Sequence, residues 1–233
     1  MNFDGTPLVI RHRVNTIEGL RKVHPKYGVE IDIRYDPATH SLHLTHDPYD
    51  RTTGKPIIGD DFESYMNAYA EQGNRFAIFN VKEMGVEEIV MKIAKERGVQ
   101  DYFLLDEEFP FIYRAAFGNM VAPVDRRIAI RYSEAEPIEQ AMFLKGRFDW
   151  VWVDSNTKLP LDPEIYEKLT SGKNGYKLAL VCPERWGRPQ DIPKFIAKMK
   201  TDGIMIDTVM TGESYVEQWE NSGVLKPFFS RKS

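Results

Sequence analysis

The sequence predicts a (β/α)8 barrel with a short antiparallel hairpin inserted after its second strand. Three observations carry the prediction. Short apolar, β-rich runs alternate with longer helical patterns along the chain, and eight of those runs are spaced for parallel pairing. The 233 residues match the usual size of one such barrel. No linker, repeat or low-complexity segment divides the chain, so the expectation is one domain over residues 1–233.

Taken in order, the runs at 8–10, 29–33, 76–80, 102–106, 127–131, 150–153, 177–182 and 203–206 read as the parallel strands. Helical patterns at 61–71, 86–97, 137–144, 163–171 and 192–200 lie between them. Eight strand–helix units favour a closed barrel over an open doubly wound sheet. A ninth apolar run, 42–45, follows the second strand after only the turn 35–41. A parallel crossover needs about a dozen residues or more. This run therefore reads as the antiparallel arm of a hairpin at the top of the barrel, and it leads into His46-Asp47.

Charge and cysteine content exclude several classes. A net charge of −4 argues against a general nucleic-acid binder. The single cysteine, Cys182, permits no intrachain disulfide and reads as a small buried hydrophobe, so a reducing, cytoplasmic setting is expected. The N-terminal residues lack a basic region followed by an apolar run, and no stretch approaches the roughly 20 apolar residues that span a bilayer. Composition does not fix the oligomeric state.

In barrels of this kind chemistry sits at the C-terminal ends of the strands. On the second strand, side-chain alternation puts Glu30, Asp32 and Arg34 on one face and Val29, Ile31 and Ile33 on the other. With the apolar set against the helices, two carboxylates point into the mouth. Taken alone this is either a solvated polar face or a cation site, because paired carboxylates repel unless a cation lies between them. His12 ends the first strand, and His46 stands at the end of the hairpin. Two histidines at one mouth can divide acid and base work between them. Asn80 and Lys82 share a face of the third strand; an amide oxygen can ligate a hard cation, and an ammonium can hold a phosphate oxygen. The remaining strand ends, Asp106-Glu107, Arg131, Asp154 and Glu184-Arg185-Trp186, are candidates to line a pocket, with Arg131 and Glu184 chosen as substrate contacts. Trp150 and Trp152 read as core.

From His12 to Gly54 the sequence resembles the glycerophosphodiester phosphodiesterase family. The matching elements are His12-Arg13, Asn15-Thr16 opening a helix, Glu30-Ile31-Asp32, His46-Asp47-Pro48 and Arg51-Thr52-Thr53-Gly54, in that order. Asn80-Val81-Lys82 echoes the family's Glu-x-Lys, and the segment from Asp202-Gly203-Ile204 to Asp207 echoes its last strand. The resemblance implies a barrel enzyme that cleaves a small phosphodiester. It implies His12 and His46 as the acid–base pair, and Glu30 and Asp32 as ligands of Mg²⁺ or Ca²⁺. It implies Arg13 and Lys82 as phosphate contacts. Relatives of the family, phosphatidylinositol-specific phospholipase C and sphingomyelinase D, share the two-histidine logic, in which a neighbouring substrate hydroxyl attacks phosphorus to give a cyclic phosphate.

The sequence departs from the family pattern in three places. Asn80 stands where the family carries a third acidic ligand. Val14 follows His12-Arg13 where the family has glycine, and the glutamate that usually precedes Asn-Thr is absent. The segment after Arg51-Thr52-Thr53 is compact. A catalytically silent barrel that binds a phosphorylated metabolite or a protein partner, and a lyase that stops at the cyclic phosphate, are the rival readings.

Overall fold

The computed structural model describes residues 4–73, 76–118 and 126–230. Its strands are β1 (Leu8–Arg11), β2 (Gly28–Asp36), β3 (Ser41–Leu44), β4 (Ala77–Val81), β5 (Tyr102–Leu105), β6 (Ala129–Tyr132), β7 (Trp150–Val153), β8 (Lys177–Val181) and β9 (Thr208–Thr211). Its helices are α1 (Ile17–Lys22), α2 (Phe62–Gln72), α3 (Glu87–Glu96), α4 (Phe109–Phe117), α5 (Ile138–Leu144), α6 (Pro163–Thr170), α7 (Ile192–Asp202) and α8 (Val216–Glu220). Eight parallel strands in the order β5-β4-β2-β1-β9-β8-β7-β6 alternate with these helices, which is the (β/α)8 barrel fold; β3 pairs on β2 outside that path. Among the described residues no helix is long and apolar enough to cross a membrane.

Contacts divide the chain into two compact units. One comprises the chain up to Ile10 with Glu107–Phe229; the other spans Arg11–Asp106. In the second unit β2, β4 and β5 are parallel, with Ile31 opposite Phe79 and Asp32 opposite Asn80. Directly opposed residues share a face. Phe79 meets Phe62 of α2 edge-on at 5.9 Å and Tyr102 at 5.0 Å, so the Ile31–Phe79 face is the one covered by helix. Glu30, Asp32 and Asn80 therefore occupy the opposite face, as side-chain alternation predicts. β3 runs antiparallel to β2, with Ile33 opposite Leu44 and Asp36 opposite Ser41, which is the expected hairpin.

Local signals explain the helix ends. Thr16 accepts from Gly19 N to cap α1, Asp61 accepts from Ser64 N to cap α2, and Asp162 accepts from Ile165 N ahead of Pro163 in α6. In the first unit β6 to β9 are parallel neighbours. Trp150, Trp152 and Cys182 are buried there, and Trp219 Nε1 donates to Cys182 Sγ at 3.1 Å.

The last strand lies later than the sequence suggests. Residues 203–206 read as strand, yet Gly203 takes a left-handed conformation (φ 68°) that ends α7. Ile204 and Ile206 are buried, but Ile206 exchanges hydrogen bonds with Val224 and Lys226 rather than with β8. Pairing with β8 begins at Asp207, whose N–H donates to Leu178 O, and β9 follows at Thr208–Thr211. Buried alternation alone does not say which neighbour satisfies the backbone, and here the chain just before Phe228 does. Three helices lie outside the five expected patterns: α1, which follows Asn15-Thr16, and α4 and α8, which occupy stretches of mixed aromatic and charged residues where the periodic signal is short.

Candidate active site

Every residue of the His12–Lys82 motif lies in the Arg11–Asp106 unit. β1 ends at Arg11, and His12 follows directly. Arg13 then adopts a positive φ of 51°, a conformation that costs an L-residue about 1–2 kcal/mol. The turn aims the Arg13 N–H at Glu30 Oε2, 2.8 Å away. A charge-assisted bond to a buried carboxylate offsets that strain. The family's glycine is missing after His12-Arg13, and the left-handed residue here is Arg13 itself.

Glu30 and Asp32 are fully buried on β2. Each is held by several donors. Glu30 Oε1 accepts from Asn80 Nδ2 at 3.1 Å, and His12 Nε2 lies 3.9 Å from Glu30 Oε2. Asp32 Oδ2 accepts from Asn15 Nδ2 at 2.8 Å, while Asp32 N donates to Asn15 Oδ1 at 2.9 Å. The Asn15 side chain thus bonds the β2 backbone just where β1 has ended. Lys82 Nζ sits 3.1 Å from Asp32 Oδ1 and 3.7 Å from Asp106 Oδ2, and Arg13 Nε sits 3.9 Å from Asp32 Oδ2. Burial, and then the charge of Asp32, push the Glu30 carboxyl up to about 7, against the pull of the Arg13 N–H and the Asn80 amide.

His46 is reached through the hairpin. Thr45 N donates to Asp32 O, which fixes the end of β3 against β2 beside the carboxylates. Arg34 donates from Nε and Nη2 to His46 O at 3.1 and 2.8 Å and from Nη1 to Glu83 Oε1 at 2.9 Å. His46 Nδ1 lies 2.9 Å from Asp47 Oδ1, and the bond to His46 holds the Asp47 carboxyl below its ordinary range. When Nδ1 donates to Asp47, the Nε2 atom is the one that exchanges protons.

The donor set fits a hard divalent cation. Asp32 Oδ1 and Asn80 Oδ1 are buried oxygens without an aligned hydrogen bond, and they stand opposite each other on β2 and β4 beside Glu30. Oxygen donors of this kind suit Mg²⁺ or Ca²⁺. Among the described residues no group of three or more histidine, cysteine, aspartate or glutamate side chains is placed to hold a metal; the oxygen donors on this face are the Glu30 and Asp32 carboxylates and the Asn80 amide. The neutral amide lowers the charge available to a cation, and Lys82 already balances part of Asp32.

The two other substrate candidates lie in the other unit and have partners there. Arg131 Nε donates to Glu136 Oε1 at 2.9 Å and Arg131 Nη2 to Asp154 Oδ2 at 2.8 Å. Asp154 Oδ1 also accepts from the Trp186 indole at 2.8 Å. Glu184 Oε1 accepts from Gly212 N at 2.7 Å, and its Oε2 is buried without a hydrogen bond. From the sequence Asn15 reads only as a residue that opens a helix, and its bond to Asp32 emerges in the fold. The available signal was the spacing of 17 residues between Asn15 and Asp32, and a spacing alone does not say which side chains meet.

The chain is similar to glycerophosphodiester phosphodiesterase from Agrobacterium tumefaciens str. C58, with a TM-score of 0.58 and 13% identity over 89% of this chain and 96% of that one. A glycerophosphodiester phosphodiesterase from Parabacteroides distasonis ATCC 8503 matches with a TM-score of 0.47 and 14% identity over 95% and 91%. A mutant tryptophan synthase alpha-subunit from the hyperthermophile Pyrococcus furiosus matches with a TM-score of 0.48 and 11% identity over 95% and 94%. The first likeness establishes the barrel fold, which hosts many chemistries. No family model and no curated protein matches the sequence.

Proposed function

We propose that the chain is a phosphodiesterase acting on a small phosphodiester, with His12 and His46 as its acid and base. The observation that carries this reading is the convergence of Glu30, Asp32, Asn80 and Lys82 on one buried face, with His12 beside Glu30. A phosphodiester carries one negative charge, which repels a nucleophile. Lys82 and Arg13 bind that charge and favour the additional charge of the transition state. One histidine takes the proton from the attacking hydroxyl, which belongs to water or to the substrate itself, and the other protonates the leaving oxygen. Asp47 orients His46 for this exchange. Groups placed in this way contribute about 10²–10⁴-fold. Glu30, Asp32 and Asn80 would hold a divalent cation, Mg²⁺ or Ca²⁺, which supplies Lewis-acid neutralisation of a phosphoryl oxygen when bound.

A second reading, a silent barrel that binds a phosphorylated ligand, is favoured by one specific arrangement. The Asn80 amide and Lys82 already satisfy much of the carboxylate pair.

The deciding experiment is turnover of bis(p-nitrophenyl) phosphate and a panel of glycerophosphodiesters, with Mg²⁺, Ca²⁺ or EDTA, by wild type and His12→Ala. Metal-dependent turnover that the variant loses supports the phosphodiesterase. Binding of phosphate esters without turnover by either protein supports the silent barrel. Phosphorus NMR of the products separates a hydrolase from a lyase that releases the cyclic phosphate.

A further inference from the structure

On the unit that carries β6 to β9, four aromatic rings form a continuous exposed row. Phe109, Tyr113 and Phe117 stand one turn apart along α4, with centroids separated by 6.2 and 5.1 Å. The row continues onto α5, where Phe143 lies 5.3 Å from Phe117. These side chains are 47, 49, 41 and 60% exposed, although the opposite face of α4 (Phe111, Ile112, Ala115 and Ala116) is buried. An aromatic side chain offers about 150–250 Å² of surface, so four half-open rings present about 400 Å² of apolar surface. Patches of roughly that size are the largest on a typical monomer and are often functional.

We infer that this face is a two-fold homodimer interface, with α4 packed antiparallel against the α4 of a second copy. The row is self-complementary. About an axis at Tyr113, each Phe109 meets the partner subunit's Phe117, and the two tyrosines meet each other. Charge follows the same symmetry. Glu108 is exposed at the N-terminus of α4, and Arg147 covers the Phe117 ring with its guanidinium carbon 4.8 Å from the centroid. The antiparallel arrangement brings Glu108 of one protomer to the Phe117 end of the other, beside the partner subunit's Arg147. An acid at one end and a base at the other suit a second copy better than an anionic bilayer, which selects clusters of basic residues. The area agrees. Two rows remove about 800 Å², and an exposed rim that includes Arg114, Glu139 and Met142 carries the total toward the roughly 1,200 Å² of a specific interface.

The test is sedimentation equilibrium of the full chain over concentrations from about 1 to 100 µM, the range in which a small interface dissociates. The wild type is expected at twice the chain mass at the upper end. Tyr113→Asp, a change on an exposed side chain, is expected to give monomer with an unchanged circular dichroism spectrum. Glu108→Arg alone should weaken dimerisation at least tenfold, about the cost of 1.4 kcal/mol, and Glu108→Arg with Arg147→Glu should restore it. A wild type that stays monomeric overturns the inference, as does a dimer indifferent to Tyr113→Asp. Monomeric protein that pellets with phosphatidylcholine vesicles through Tyr113 would assign the row to a lipid surface instead and overturn it as well. Because α4 contributes no residue to the His12–Lys82 cluster, the phosphodiesterase reading stands or falls separately.

Discussion

Replacing Asn15 by alanine removes the reciprocal pair of hydrogen bonds that fixes Asp32. Two terms set the size of the effect. Loss of the 2.8 Å bond to the Asp32 carboxylate removes a charge-assisted interaction of about 1.5–3 kcal/mol. Loss of the Oδ1 acceptor leaves the Asp32 N–H without its partner inside a fully buried residue, at about 1–3 kcal/mol. Together they predict a loss of about 3–5 kcal/mol, a large part of the stability of a typical domain. Thr16→Ala is the control at the next position, because it removes only the helix cap on Gly19 N and costs about 1 kcal/mol. Urea unfolding followed by circular dichroism measures both. With a slope of about 2–3 kcal/mol per molar, the Asn15→Ala midpoint falls by about 1–2 M, and that of Thr16→Ala by less than half as much. The effect on Asp32 also predicts a loss of about 10–100-fold in divalent-cation affinity for Asn15→Ala by titration calorimetry, and none for Thr16→Ala. If the two variants unfold at the same urea concentration, the clamp does not hold Asp32 and the reasoning fails.

Three further outcomes are expected. His46→Ala should reduce phosphodiester turnover by about 10²–10⁴-fold with an unchanged fold, and near-normal rates would remove His46 from the acid–base pair. Asn80→Asp should act with opposite signs on the free and cation-bound protein. It exchanges the amide donor 3.1 Å from Glu30 Oε1 for a third carboxylate, so cation-free protein becomes less stable while calorimetry registers tighter binding; unchanged affinity would remove Asn80 from the donor set. Glu30 predicts a pH effect in EDTA. Its carboxyl ionises near 4.5 in the unfolded chain and at about 7 when folded, so the folded state holds the extra proton between those values. Stability must therefore fall as pH rises through that window, by about 1–3 kcal/mol, and level off above it. Unfolding midpoints of wild type and Glu30→Gln at about pH 5 and pH 8 isolate the term, since the variant lacks it; equal slopes in both proteins would contradict the assignment.

The sequence by itself determined the alternation of strands and helices, the hairpin, and the face on which Glu30, Asp32 and Asn80 stand. These features rest on short-range periodicity. A period of two fixes which β2 residues share a face, and a turn of a few residues permits only antiparallel return. Capping by Thr16, Asp61 and Asp162 is local in the same sense, since each cap bonds three residues ahead. Tertiary structure decided the rest. Ile204 and Ile206 have the pattern of a strand, but the backbone partners of Ile206 come from a segment about 20 residues later, and β9 starts at Thr208. The partners that hold Arg131 and Glu184, namely Glu136, Asp154 and Gly212, are likewise set by the fold and not by any local pattern. Asn15 looks like a helix-start residue and instead orients a buried carboxylate. In each case the deciding quantity is which polar group finds which partner once water is excluded. That choice depends on distances between residues far apart in the chain, which no local pattern records.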